Sequence, residues 1–252
     1  MNSREKRETI HQKLEIMRKC YKERDPENFD LFYNTFFDLT RPPIIIGTDN
    51  GAWFHTMDRI RWLILYDWEK WGNLEIDTWN FTVFEAKHCD MVRTRGVLDF
   101  GMDRAWDIDL LMIFRKNGKE YDCRLMQFKV PRNEIRPVVI LNNSEEEQNK
   151  SQKEITDLTA LNGDEDTGLM RGLLAEKAAK MLKEQRPYLE IADVRKEWIY
   201  VEEDDEGFLF ALTGFCMHTE MKALMPFRMV GIGQGYEILD HEFSHPFVSE
   251  LG

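Results

Sequence analysis

Apolar residues recur at helical spacing near the start of the chain. Ile10, Leu14 and Met17 fall on one face of a helix expected from Arg4 to Glu23. Phe29, Phe32 and Phe36 predict a second helix from Pro26 to Asp38. Asp25 would cap it, and Pro26 would sit in its first turn, where a missing N–H is harmless. A third helix is expected from Met57 to Trp71, closed by Gly72. The pattern then turns strand-like, with strands expected at Leu74–Ala86, Met91–Phe100, Asp107–Arg115 and Lys119–Val130. Asn117–Gly118 is a strong hairpin signal between the last two. Helices followed by an antiparallel meander form an α+β order.

The second half repeats this order with losses. Helices are expected at Ser144–Leu161 and Leu169–Gln185, then strands at Leu189–Glu202, Gly207–His218, Phe227–Gly233 and Tyr236–His245. Single residues recur in register. Gly118, Tyr121, Phe128 and Pro131 match Gly233, Tyr236, Phe243 and Pro246, each 115 apart. Leu74–Glu–Ile76 matches Leu189–Glu–Ile191 at the same offset; Gly47 meets Gly163 at 116, and Arg95–Gly96 meets Thr213–Gly214 at 118. Several matches in order at nearly one offset imply a tandem duplication. The copies are placed at 1–137 and 138–252, joined through Arg132–Asn149, which contains Pro137, Asn142 and Asn143 but also the apolar run Val138–Leu141.

Two segments resemble a known family. The loop Gly47–Thr48–Asp49–Asn50–Gly51–Ala52–Trp53–Phe54 and the ending Tyr236–Glu–Ile–Leu–Asp–His–Glu–Phe–Ser–His–Pro246 resemble the nuclear transport factor 2-like superfamily, in its SnoaL-like branch. There the loop usually reads G-T-D-P-G-E-W-W, and the last strand ends in H-x-H-x-S-x-P. Here Asn50 and Ala52 replace the proline and glutamate. The histidine positions hold Asp240 and Glu242 in the second copy and Leu125 and Gln127 in the first. The resemblance implies two cone-shaped units, each with helices packed on a curved antiparallel sheet around an open pocket. Members commonly dimerise across the outer sheet face, so the resemblance also implies a pseudo-dimer within one chain, or else a homodimer. Members differ widely in chemistry, so fold alone assigns no reaction.

Charge changes the picture most. The net charge is −12, and all of it lies beyond residue 137: residues 138–252 hold 23 acidic against 11 basic residues, while 1–137 balance at 23 each. An acidic surface repels phosphate backbones and excludes nucleic acid as the expected partner. No run approaches the ~18 apolar residues of a membrane span, and the N-terminal stretch is charged and amphipathic, unlike a secretory signal. Cys20, Cys89, Cys123 and Cys216 are scattered with no CxxC pair, which fits reduced thiols in the cytoplasm.

Candidate chemistry is weighed against plainer readings. Gly231–Ile–Gly233–Gln–Gly235 looks like a phosphate loop, but a strand follows where a helix is needed, so a turn is expected. His241 and His245 lie about 13 Å apart on a strand, too far to share one metal ion. Ser244 and His245 would point to opposite faces and form no triad. No metal or cofactor is therefore expected. Asp240 and Glu242 share a face with Tyr236, Ile238 and Ser244. They make an acid–base pair if that face is concave and an ordinary acidic surface if it is outward, and the outward reading is favoured. By the same alternation Tyr121, Cys123, Leu125, Gln127 and Lys129 share one face in the first copy. Trp53, Phe54, Trp62, Tyr66 and Trp79 offer aromatic lining, although the spacing of Trp62 and Tyr66 suits a core. The acidic run Glu202–Glu206 reads as a solvated hairpin turn.

Two functions from different classes follow. One is small-molecule binding in a cone-shaped pocket of the first copy, through Trp53, His55, Asp109, Tyr121 and Gln127, with weak acid–base chemistry and no cofactor. Asp240 and Glu242 are the corresponding candidates in the second copy. The other is a non-catalytic protein whose acidic second copy serves assembly or partner binding.

Overall fold

The apolar face of the first helix is buried along its whole length. α1 spans Ser3–Glu23 and opens with a capping box, in which the Asn2 side chain accepts from the Glu5 N–H and Glu5 accepts from the Asn2 N–H, both at 2.9 Å. Ile10, Leu14, Met17, Cys20 and Tyr21 are buried on one stripe. Each such aliphatic side chain contributes about 1.5–3 kcal/mol. A 3₁₀ turn at Pro26–Asn28, capped by Asp25, leads into α2, Phe29–Phe36. α3 covers Met57–Lys70 with Thr56 as its N-cap. The computed structural model describes residues 2–38, 41–48, 52–99, 101, 105–117, 120–130, 167–195, 198–220 and 222–245. The loop positions 49–51, Gly118, the join at 132–149 and the helix expected at 144–161 lie outside them.

The chain divides into two compact units, one formed by Met1–Gly47 with Phe54–Pro131, the other by Thr48–Trp53 with Arg132–Gly252. The first unit is α+β. Its strands are β1 Ile44–Ile46, β2 Trp53–Phe54, of which only Phe54 belongs to this unit, β3 Asn73–Ile76, β4 Thr82–Glu85, β5 Cys89–Asp99, β6 Ala105–Asn117 and β7 Glu120–Lys129. They lie in the order β2-β1-β7-β6-β5-β3, with β4 also on β5. Two features depart from the expected meander. β1 runs parallel to β7, with Ile44 opposite Leu125 and Ile46 opposite Gln127, so the sheet is mixed. Its three isoleucines are buried on both faces and show no alternation to read. The single strand expected at Leu74–Ala86 is two strands. Asp77 Oδ1 accepts from the Trp79 and Asn80 N–H groups at 3.0 and 2.8 Å, and this side-chain turn breaks the ladder.

The second unit is also α+β. α4, Thr167–Gln185, buries Met170, Leu174, Ala178 and Leu182 against its sheet. The strands are β8 Leu189–Asp193, β9 Ile199–Asp204, β10 Gly207–His218, β11 Ala223–Gln234 and β12 Glu237–Ser244. Their order is β12-β11-β10-β8, with β9 also on β10. Here too a strand expected as one, Leu189–Glu202, is two. Both units therefore run helix, two short strands on one edge of a long strand, then a meander. Both last strands carry a bulge, which bends the sheet. Among the described residues no helix is long and apolar enough to cross a membrane.

Candidate functional site

The buried stripe of α3 is Ile60, Leu63, Ile64, Asp67 and Trp68. A carboxylate thus occupies a position that helical spacing assigns to the core. α1 brings Tyr21 to the same place, four residues after Met17. The Tyr21 ring meets Trp68 edge-on at 6.0 Å, Phe32 at 6.1 Å and Phe128 of β7 at 6.4 Å. Trp71 meets Phe128 at 6.2 Å. Tyr21, Asp67 and Trp68 are at most 3% exposed. Burial holds Asp67 well above the usual carboxylate range, against the opposing effect of the Tyr21 hydroxyl. Burial, and then the Asp67 charge, push the Tyr21 phenol up as well. Burial thus favours the protonated form of both groups. The Tyr21 hydroxyl interacts with Asp67 without reaching good hydrogen-bond geometry, and Trp68 Nε1 has no partner among the described residues. An unmet buried donor costs about 1–3 kcal/mol, so these groups are poised to donate to an oxygen acceptor.

A second polar cluster is closed. Asp90 on β5 is fully buried. It pairs with Lys6 Nζ at 2.9 Å and Lys116 Nζ at 3.0 Å, and it accepts from the Tyr121 hydroxyl at 3.0 Å. Lys6 also reaches Glu85 at 2.6 Å. The Tyr121 ring stacks on Phe114 at 4.8 Å, and burial raises its phenol above the ordinary value. Tyr121, a predicted ligand contact, is thus engaged in fastening α1 to the sheet.

The expectation that Tyr121 and Gln127 share a face is corrected. β7 carries an extra residue, Arg124, between Cys123 opposite Phe114 and Leu125 opposite Ile113. The alternation slips by one there. Tyr121, through Phe114 and Phe36, and Phe128, through Tyr21, both face the helices. Gln127, next to Phe128, faces the other side, where it is 1% exposed. Asp109 pairs with Arg95 at 3.4 Å and Lys129 at 3.5 Å. His55 is partly buried between β2 and α3. Trp53 groups with the second unit, where the Arg228 guanidinium lies 5.1 Å from its ring. Nor do Trp62 and Tyr66 form core. They are 58% and 44% exposed and stack in a surface ladder with Phe54, at 5.2 and 6.2 Å. Trp79 is exposed against His11.

In the second unit a bulge at Leu239 plays the same part. Phe243 packs on the core beneath α4, and His241 and His245 meet Gln185 and Arg186 at the end of that helix. His245 Nδ1 lies 3.0 Å from the Pro226 carbonyl oxygen. Asp240, Glu242 and Ser244 therefore face away from α4, while Ile238 packs on the core side. Gly231 and Gly233 are not turn residues. They lie within β11, where an added Cβ would come within 2.8 and 2.0 Å of the Phe210 and Phe208 rings, and only Gly235, with φ of 56°, is in the turn. Glu202 and Glu203 belong to β9, and the turn itself is at Asp205–Glu206. All four cysteines are free and buried. Burial pushes the Cys20 thiol to about 11 and those of Cys123 and Cys216 to about 12, too high for a nucleophile at neutral pH. Among the described residues no three His, Cys, Asp or Glu side chains converge as a metal site.

Asp67, Tyr21 and Trp68 were not among the residues singled out from the sequence. The signal was present: an aspartate in phase with Ile60, Leu63 and Ile64. No family model matches the chain, and no curated protein matches it significantly. Solved structures resembling it include an NTF2-like protein of unknown function from Pseudomonas putida, at 11% identity and TM-score 0.43, covering 53% of this chain and 92% of that one. Another is a cystatin-like-fold protein of unknown function from Nostoc punctiforme, at 14% identity and TM-score 0.42, covering 53% and 96%. A third, with the same fold description, comes from Caulobacter vibrioides, at 9% identity and TM-score 0.40, covering 50% and 89%.

Proposed function

We propose that the first unit binds a small, largely apolar organic molecule through an oxygen acceptor placed against Tyr21, Asp67 and Trp68, and carries out weak acid–base chemistry on it. The observation that carries this reading is the burial of a carboxyl with a raised pKa, a phenol and an unmet indole N–H in one aromatic shell. Such groups favour a ligand carbonyl, which accepts hydrogen bonds and brings no charge into a dry site. Asp67 would hold or lend the proton, and Tyr21 would relay it.

The test is a thermal-shift comparison of cyclohexanone with cyclohexane, on wild type and on Tyr21→Phe and Asp67→Leu. Stabilisation by the ketone alone, lost in both variants, supports the reading. Equal shifts in wild type and variants would sink it.

The two units are proposed to descend from one ancestral unit, in copies meeting near residue 137. Three observations support this. The element order is the same. The bulge residues Arg124 and Leu239 lie 115 positions apart, the offset found in the sequence. Gly96 and Gly214 occupy matching places on β5 and β10, where an added Cβ would come within 2.8 and 2.5 Å of the Glu75 and Asp193 carbonyl oxygens. Tyr121 and Tyr236 do not match in environment: the first is buried in β7 and the second is 65% exposed in a turn. A cytoplasmic site of action fits the free, buried thiols. A second reading, a non-catalytic assembly protein, is favoured by the Phe54–Trp62–Tyr66 ladder. Dilution-dependent mass that Trp62→Ala abolishes would support it, and a mass independent of concentration would remove it.

A further inference from the structure

α3 keeps its buried stripe to one side, and the opposite side carries a regular pattern of its own. At 3.6 residues per turn, successive residues are about 100° apart around the axis. Asp58 and Glu69 then fall within about 20° of each other, and so do Arg59 and Lys70. The acidic pair and the basic pair are about 100° apart, with Trp62 and Tyr66 between them. All six residues are exposed. An aromatic seam thus runs along α3, with an acidic flank on one side and a basic flank on the other. Arg61 lies beyond the acidic flank, where Asp30 engages it at 3.5 Å.

The seam is held ready for contact. Trp62 stacks on both Phe54 and Tyr66, and the Arg59 guanidinium lies 5.5 Å from the Phe54 ring. A ring fixed in this way loses little side-chain freedom when a partner docks. The flanks say what that partner is. A surface of one charge sign, such as an anionic membrane, would be drawn to one flank and repelled by the other. A second copy of α3 suits both flanks, provided that the two helices run parallel. A two-fold axis along the helices sets the acidic flank of each copy against the basic flank of the other. Asp58 then faces Arg59 and Glu69 faces Lys70, each with an axial offset of about 1.5 Å. Antiparallel packing would set acid against acid and base against base. Within one chain Glu69 and Lys70 pair with each other at the surface, where such a pair contributes little and can be exchanged.

We infer, building on the assembly reading of the Phe54–Trp62–Tyr66 ladder, that α3 is a self-association surface for two copies of this chain. The helices pack in parallel about a two-fold axis, with Trp62 and Tyr66 as the seam. Asp58 and Glu69 of each copy pair with Arg59 and Lys70 of the other. The face of a helix about 21 Å long and about 10 Å across is smaller than the ~800 Å² per partner of a standard interface. The dimer is therefore weak and depends on concentration.

The test is sedimentation velocity on the full chain over about 5 to 500 µM, a range that brackets a weak dimer. Mass should rise with concentration. Raising sodium chloride from about 50 to about 500 mM should weaken the association several-fold, because it screens the flanks. Asp58→Lys with Glu69→Lys makes both flanks basic, and Arg59→Glu with Lys70→Glu makes both acidic. Each double variant should associate about tenfold more weakly or less, and an equimolar mixture of the two should associate again. Recovery in the mixture excludes misfolding as the cause of either loss. Association that salt strengthens, or that neither double variant weakens, would overturn the parallel pairing while leaving the ladder as an assembly surface. Association that survives Trp62→Ala would place the contact elsewhere and overturn both. A mass independent of concentration would do the same.

Discussion

Replacing Asp67 with Asn removes one proton-binding group from the interior and little else, so its effect is best read as a slope. Folding raises the Asp67 pKa well above the ordinary value, chiefly by burial. In the unfolded chain the same carboxyl releases its proton near pH ~3.9. Between that pH and its folded-state pKa the native protein holds a proton that the unfolded protein has lost. Linkage then makes stability fall as pH rises, by about 1.4 kcal/mol per pH unit for one proton. The contribution is fully present below the unfolded pKa and is lost progressively above it. Carboxylates shifted the other way, such as Glu15 and Asp77, are present in both proteins and cancel in the difference. Urea denaturation of wild type and Asp67→Asn at pH 5, 6 and 7 should give a stability difference that moves toward the variant as pH rises, by about 1.4 kcal/mol per pH unit for as long as the pH stays below the folded-state pKa. Nearly the whole change should lie in the urea midpoint, with the m-value unaltered. A difference constant across that range would mean that burial does not raise the Asp67 pKa, and the reasoning would be wrong.

Other substitutions probe the frame around Tyr21, Asp67 and Trp68. Asp90→Ala strands Lys6 and leaves Tyr121 without its acceptor, so a loss of about 3–5 kcal/mol is expected in chemical denaturation; a loss under ~1 kcal/mol would show that the cluster is not closed. Gly96→Ala and Gly214→Ala should each cost about 1–3 kcal/mol, because the added methyl meets a backbone oxygen that cannot step aside. A neutral result at either would undo the packing argument there. Thiol reagents should modify Cys20, Cys123 and Cys216 only at the rate of unfolding, and fast labelling of the native protein would contradict their burial.

Helices were the most legible part of the sequence, because their apolar spacing spans several turns and errors average out. The stripe Ile10–Leu14–Met17 and the group Phe29–Phe32–Phe36 are buried as expected. What escaped was short or two-sided. Ile44–Ile46 has only three residues and no alternation, so nothing in it marks a strand. Its place is set by the partner β7, 81 positions away in the chain. The breaks in Leu74–Ala86 and Leu189–Glu202 are decided by local competition. At Asp77 a side chain offers the backbone the acceptor that a neighbouring strand would otherwise supply.

The candidate site was harder to read for a related reason. Strand logic assigns faces by counting in twos, and one extra residue reverses every assignment beyond it. Arg124 and Leu239 are such residues, and neither differs in type from an ordinary strand position. Counting through them joined Tyr121 to Gln127 and Ile238 to Asp240, pairs that face opposite sides. The helix offers no such trap, since Asp67 keeps its phase with Ile60 and Ile64 whatever the sheet does. An aspartate on the apolar stripe of a helix is therefore a firmer pointer to a buried polar site in this fold than a pair of acids on its last strand. The physical cause is that helical phase is set by bonds within the segment, whereas strand phase depends on how two segments align.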